Sequence, residues 1–300
     1  MNPPELSIVM RSFNEGWALR QTLPAVRAQG FTDWELIVID SGSTDGSCEL
    51  IRACNPAHFI QIKPGEYNPS RVLNHGMRLA RAQRVVFLNA DATPQGPDWL
   101  RPLAEALRDP MAAAVFGRQI PRPDCPAVYA HDYHRCFGRE RESARWEHFF
   151  SMVSSGLRKD IWSLRGFREE MQYSEDDEYT RWCRARGYRV VYVPESVVMH
   201  SHNYTPRQAY QRSFGEAKAL AAVWNRGPEE INWPRTVLLG WFNDLRRDIG
   251  YCRRSKRLAE LPHAARIRWQ QRRAKLAGFR EGWRFYNRSS GARPLATLES

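Results

Sequence analysis

The chain has 300 residues, 42% hydrophobic and 26% charged, with a formal net charge of +12. This is an ordinary globular composition, sufficient for one large α/β domain with an appendage or for two modest domains. It excludes a membrane-spanning helix: the apolar run 85–88 is closed by Arg84 and Asn89, whereas a span requires roughly 20 apolar residues.

The first residues lead straight into a strand-like run at 6–10. No basic and apolar leader regions stand ahead of it, so a cytoplasmic location is expected. Further β-branched runs at 35–39, 58–62, 84–88 and 112–117 alternate with helical patterns at 16–29, 45–54, 70–82 and 97–108. Strands that are apolar on both faces and separated by helices predict a doubly wound, mostly parallel sheet covered on both sides. Pro24 predicts a break or kink in the first helix. Residues 118–150 hold Pro121, Pro123 and Pro126 and then charged, aromatic-rich sequence, which suggests a crossover or lid rather than a sheet layer. A helix at 175–186 runs through Gly187 into a strand at 188–194, and helices are predicted at 206–224, 235–252 and 263–286. The six cysteines have no metal-ligand spacing and read as reduced packing residues.

Charge is unevenly spread. Residues 253–300 carry 13 Lys/Arg against 3 Asp/Glu, and residues 1–252 carry 32 against 30. Trp269, Leu276, Phe279, Trp283 and Tyr286 share one helical face, and Arg266, Arg268, Arg272, Arg273, Lys275, Arg280 and Arg284 cover much of the rest. Leu238, Trp241, Leu245 and Ile249 form a similar stripe upstream. Such helices either lie on an anionic membrane surface or dock on their own domain with a solvated outer face.

In doubly wound sheets, ligands bind beyond the carboxyl ends of the strands. Polar residues follow four predicted strands: Arg11 to Glu15, Asp40 to Gly46, Asn89 to Asp91, and His200 to His202. Each alone reads as a turn, but together they should converge on one edge as a shared site.

These residues carry a family resemblance. The opening strand with its Ser12-Phe13-Asn14-Glu15 turn, and the second strand with Asp40-Ser41-Gly42-Ser43-Thr44-Asp45-Gly46, resemble the family 2 glycosyltransferases, whose fold is GT-A. Leu88-Asn89-Ala90-Asp91 stands where that family has its DxD metal motif, and Ser174-Glu175-Asp176-Asp177-Glu178 where it has the acidic pair containing its base. The stretch 65–76, with 117–121 and 200–203, is similar to a rhamnosyltransferase-like branch. The resemblance covers roughly residues 6–215. It implies a GT-A domain at 1–225, with a nucleotide-sugar half at about 1–117 and an acceptor half at about 118–225, followed by a basic helical extension at 226–300.

By resemblance, Asp40 accepts hydrogen bonds from the donor's base, and Ser12, Asn14 and Glu15 line the same pocket. Asn89 joins that set, and Arg71, Asn74 and Arg118 are candidates for the diphosphate or ribose. Asp91 is the expected ligand of a divalent cation, Mn²⁺ or Mg²⁺. It is joined by His200, with His202 as the rival, while Asn89 replaces the acidic residue usual at the motif's first position. Asp176 is the expected base, with Glu175, Asp177 and Glu178 as neighbours of the same chemistry. The resulting expectation is an inverting enzyme that moves a sugar from a nucleoside diphosphate donor to a glycan or lipid-linked acceptor, in one displacement. The enzyme would be cytoplasmic or peripheral at the membrane's inner face. A nucleotidyltransferase would show a Gly-rich loop after the first strand, and an oxidoreductase a GxGxxG; both are absent. No nucleic-acid-binding signature accompanies the basic tail, so nucleic acid is not an expected partner.

Overall fold

The computed structural model describes residues 2–138, 141–146, 148–223 and 231–289. In chain order its elements begin β1 (Leu6–Ser12), α1 (Gly16–Arg27), β2 (Trp34–Asp40), α2 (Ser47–Ala53), β3 (His58–Gln61), α3 (Pro69–Leu79), β4 (Arg84–Asn89), β5 (Thr93–Pro94) and α4 (Leu100–Ala106). They continue with β6 (Ala112–Ile120), α5 (Ala127–Phe137), β7 (Ser154–Arg158), α6 (Lys159–Leu164), α7 (Glu175–Ala185) and β8 (Arg189–Met199). The last helices are α8 (Pro206–Val223), α9 (Gly240–Arg254) and α10 (Leu261–Ser289).

The described strands form one eight-stranded sheet in the order β3-β2-β1-β4-β7-β6-β8-β5. β3, β2, β1 and β4 are mutually parallel, and β6 is parallel to β8. β7 runs antiparallel between β4 and β6, so the strands on either side of it share one direction. The carboxyl ends of β1, β2, β4, β6 and β8 therefore lie along one edge. β1 and β4 are apolar because both of their faces are covered. Ile8, Met10, Val86 and Leu88 pack with Leu19, Leu23 and Val26 of α1 and with Trp99, Leu100 and Leu103 around α4. On α3, Gly76 brings the helix directly over the Val9 side chain.

Three expectations are corrected. α1 continues through Pro24 as one helix rather than breaking there. Residues 118–150 hold the end of a strand and a helix, because β6 extends to Ile120 and α5 follows. β7 has no predicted counterpart: its sequence, Ser-Ser-Gly-Leu-Arg, lacks β-branched residues, and pairing on both sides rather than propensity holds it in the sheet.

The chain divides into two compact units. The first holds the sheet and comprises residues 2–122, 135–171 and 175–200. The second groups 123–134 and 172–174 with the described residues from 201 onward. The boundary expected at 225/226 lies outside the described residues.

Within the second unit, α8 and α10 pack closely because Gly278 and Gly282 sit against the backbone of Phe214 and Lys218, where a side chain would collide. Phe279 of the α10 stripe is buried against Ala217 and Ala221 of α8, and the α9 stripe meets α10 through Trp241. Trp241 and Trp269 pack edge to face at 5.8 Å, the Trp241 indole donates to the Ala265 carbonyl at 2.9 Å, and Leu276 and Phe279 are buried. The Tyr286 side chain lies outside the described ones. Much of the apolar face of α10 is thus spent on packing. Tail arginines are spent likewise: Arg268 binds Asp248 and Asp132, and Arg272 binds both oxygens of Asp244 at 2.7 Å. Three carboxylates of the near-neutral stretch, Asp132, Asp244 and Asp248, thus pair with arginines of the basic tail within this unit. Among the described residues, no helix is long and apolar enough to cross a membrane.

Candidate active site

The turns after β1 and β2 are laced together. Asn14 takes a left-handed conformation (φ 54°), donating its N–H to the Ser43 hydroxyl at 2.7 Å, and its side-chain oxygen accepts from the Thr44 N–H at 2.9 Å. The Gly16 N–H donates to Asp45 at 2.8 Å, placing a carboxylate at the N-terminus of α1. Asp40 is fully buried and organises the second turn. Its oxygens accept from the N–H groups of Gly42 and Ser43 at 3.0 and 2.8 Å, and from the Ser43 hydroxyl at 2.6 Å. Gly42 has φ +84° and packs on the Pro64 ring, so an L side chain is excluded there both by conformation and by space.

Two polar atoms facing this edge are buried and have no hydrogen-bond partner among the described residues: the Ser12 hydroxyl and Oε2 of Glu15. Burial, and secondarily the charge of Asp91, raise the Glu15 carboxyl to about 7. Buried polar atoms left in this state mark a surface shaped for a ligand.

At the end of β4, Asp91 is buried, with Oδ2 at 3.3 Å from Nε2 of the buried His200. The other ring nitrogen of His200 is 2.9 Å from Oε1 of Gln119. The amide nitrogen of Gln119 donates to the Ser151 hydroxyl at 2.7 Å, which makes Oε1 the acceptor and puts the proton on Nδ1 of His200. Nε2 then faces the Asp91 carboxylate, where a positive charge joins the two, supplied by a proton on the ring or by a bound cation. A divalent cation fits: ligand bonds of about 2.0–2.2 Å near right angles place donor atoms about 3 Å apart. The set of carboxylate, imidazole and ring-orienting amide is that of a supported metal site. Gln119 adjoins Arg118 near the end of the same strand. Strand alternation puts these two side chains on opposite faces of the sheet. Arg118 is thereby directed away from the His200 partner and toward Tyr192, whose ring the Arg141 guanidinium covers at 4.0 Å.

The structure sorts the remaining expected residues. Asn89 accepts from Arg11 at 2.9 Å. Asn74 is fully committed to residues 162–169: its oxygen accepts from the Trp162 indole and the Phe167 N–H at 3.0 and 2.9 Å, and its nitrogen donates to the Phe167 carbonyl and Glu169 at 2.8 and 3.2 Å. It therefore clamps a loop. Arg71 is exposed and lies 3.5 Å from Glu169. In the acidic first turn of α7, Glu178 pairs with Arg165 and Arg168, and Glu175 faces Arg11. Asp176 is half-buried and accepts from the Asp177 N–H at 2.9 Å. His202 belongs to the second unit. Arg122, at the end of the first unit, donates to the Asp91 carbonyl and stacks over the exposed Trp17 ring at 4.5 Å.

The family model for glycosyl transferase family 2 matches residues 7–193. The chain belongs to this family. It is a glycosyltransferase. Among curated proteins it is similar to two O-antigen chain rhamnosyltransferases. One is RfbN of Salmonella typhimurium, 29% identical over 221 residues, and the other is WbaN of Salmonella anatum, 30% identical over 223; each alignment covers 70% of both chains. Solved structures support the GT-A fold. A mannosyltransferase from Pyrobaculum calidifontis, solved with GDP-Man and Mn²⁺, superposes with TM-score 0.61 at 21% identity, covering 99% of this chain and 79% of that one. TarS of Staphylococcus aureus, solved with UDP, gives 0.52 at 15%, covering 96% and 93%.

Proposed function

We propose that this enzyme transfers a hexose or deoxyhexose, rhamnose being the favoured case, from a nucleoside diphosphate sugar to a glycan or lipid-linked acceptor in cell-surface polysaccharide synthesis. The transfer is a single inverting displacement. The observation that carries the reading is the Asp91–His200–Gln119 arrangement at the carboxyl edge, beside buried, unpartnered oxygens of Ser12 and Glu15. The similarity to two rhamnosyltransferases supports the choice of sugar and pathway class.

In this mechanism Ser12, Asn14, Glu15 and the Asp40 turn hold the nucleoside, with Asp40 acting through the turn it organises. Asp91 and His200 would hold a divalent cation, Mn²⁺ or Mg²⁺, which would supply positive charge opposite the diphosphate. Gln119 keeps the His200 lone pair directed at that position. Asp176 takes the proton from the acceptor hydroxyl as it attacks the face opposite the leaving group. Glu178 is excluded from that role by its two arginine partners.

A thermal-shift screen of UDP-, GDP- and dTDP-sugars with Mn²⁺ or Mg²⁺ tests the assignment, since ligand binding to the folded state raises Tm. A shift with at least one donor is expected. No shift with any donor and either metal would overturn it.

We also assign a membrane-facing role to the second unit. Along 235–253, Leu239, Phe242 and Ile249 are exposed beside exposed Arg235, Arg246 and Arg253, while Asp244 and Asp248 of the same segment point inward to arginines. An outer face that joins apolar and cationic groups and carries no carboxylate matches an anionic lipid surface, which suits a lipid-linked acceptor. Flotation with anionic but not zwitterionic vesicles, lost in Phe242→Glu, is expected; equal flotation with both lipids, or with neither, would end the idea.

A further inference from the structure

Arg11 has no place in the assignments above, yet it occupies the centre of the edge. It is paired in register with Asn89 across the parallel strands β1 and β4, and its side chain is only 16% exposed. A single N–H of its guanidinium is used in a hydrogen bond among the described residues, to Oδ1 of Asn89 at 2.9 Å. Its other neighbour, Glu175, stands at 3.9 Å, beyond hydrogen-bond reach. The identity of residue 89 matters here. An asparagine oxygen orients the guanidinium without adding a counter-charge to that of Glu175, whereas an aspartate would form a second, hydrogen-bonded ion pair with it. Two residues beyond Asn89 lies Asp91, the proposed cation ligand. A planar fork of donors, mostly uncommitted and held at the edge where the diphosphate must lie, is suited to bidentate phosphate contacts.

We propose that Arg11 is a fixed cation for the donor's diphosphate, and that Asn89 keeps it available by orienting it without neutralising it. This rests on the nucleoside diphosphate reading above. Arg11 takes up charge that a divalent ion would otherwise balance alone, so nucleoside diphosphate binding persists in part when metal is removed.

The test is calorimetric binding of UDP, GDP and dTDP to the full chain, with Mn²⁺ and again in EDTA, using variants whose Tm matches the wild type. Wild type is expected to retain binding of one of these in EDTA. Arg11→Gln should lose about tenfold or more in affinity in EDTA, and Arg11→Lys should recover part of it. Asn89→Asp should weaken binding in EDTA, because the new carboxylate engages Arg11, but should be compensated in Mn²⁺, where it adds an acidic ligand. Binding in EDTA by both Arg11→Gln and Asn89→Asp within twofold of wild type would overturn the proposal, as would loss of all wild-type binding in EDTA alone. Failure of wild type to bind any of the three nucleotides even with Mn²⁺ would instead overturn the functional reading beneath it.

Discussion

The two units handle buried charge in opposite ways. In the second, Arg268 is 5% exposed and meets both oxygens of Asp248, both of Asp132 and the Val128 carbonyl, while His131 contacts Asp248 at 2.6 Å. Burial alone would raise the Asp248 carboxyl, but hydrogen bonds from His131 and Arg268 outweigh it and hold that group below the ordinary carboxylate range. Arg268, Asp248 and Asp132 each have a partner of opposite charge within this network, so it can hold helices together but offers nothing to a ligand. At the sheet edge of the first unit the matching is incomplete. Among the described residues, Arg11 spends one N–H in a hydrogen bond, and Oε2 of Glu15 and the Ser12 hydroxyl have no hydrogen-bond partner, while Nε2 of His200 stands 3.3 Å from the Asp91 carboxylate. Polar groups that the fold positions without satisfying are the ones a substrate completes, and the contrast separates structural from catalytic charge within one chain.

That contrast can be broken by substitution. Asp176→Asn is expected to lower transfer about 10²–10⁴-fold, the usual contribution of a positioned base, while leaving nucleotide binding unchanged. Near-wild-type turnover, measured by release of the nucleoside diphosphate, would move the base to another carboxylate. Arg268→Met should act on folding instead, destabilising by about 3–5 kcal/mol because Asp248 and Asp132 are left buried and uncompensated. A denaturant midpoint close to wild type would show that the network is not a structural lock.

Smaller effects sharpen the edge itself. Gln119→Leu should weaken Mn²⁺ binding about 10–100-fold without a comparable loss of stability, because His200 loses the group that orients its ring. Titration of Mn²⁺ followed by electron paramagnetic resonance reads this directly. The smallest effect concerns pH. With the Glu15 carboxyl raised from 4.5 to about 7 by burial and by Asp91, its folded form favours the protonated state. Its contribution to stability is therefore full below the unfolded value and declines as pH rises through about 7. In metal-free buffer, Glu15→Gln should remove part of the fall in Tm across that window; an unchanged slope would place the titration elsewhere.

Much of the fold was legible in the sequence. The strand runs at 6–10, 35–39 and 84–88 reappear within β1, β2 and β4, because strands buried on both faces are continuously apolar and that pattern is local. The turns after them were legible too, since Asn14, Gly42 and the Asp40 to Asp45 cluster carry their conformational requirements in their residue types. The site was read less completely. Asp91 and His200 were paired in advance, but which of Arg118 and Gln119 lies beside His200 was not legible, because the face toward which each side chain points depends on the register of β6 beside β8. The four hydrogen bonds by which Asn74 holds residues 162–169 were not legible, since their partners stand about 90 positions away.

The sequence by itself determined the alternation of strands and helices, the polar turns at strand ends and the family, because each is written in local pattern and residue type. Tertiary structure alone decided that β7 would enter the sheet, that tail arginines would be consumed by aspartates of α5 and α9, and that Arg11 would meet Asn89 and Glu175 at the sheet edge. These outcomes depend on which distant groups meet in a low-dielectric interior, where pairing sets the energy of every charge and no local pattern encodes the partner.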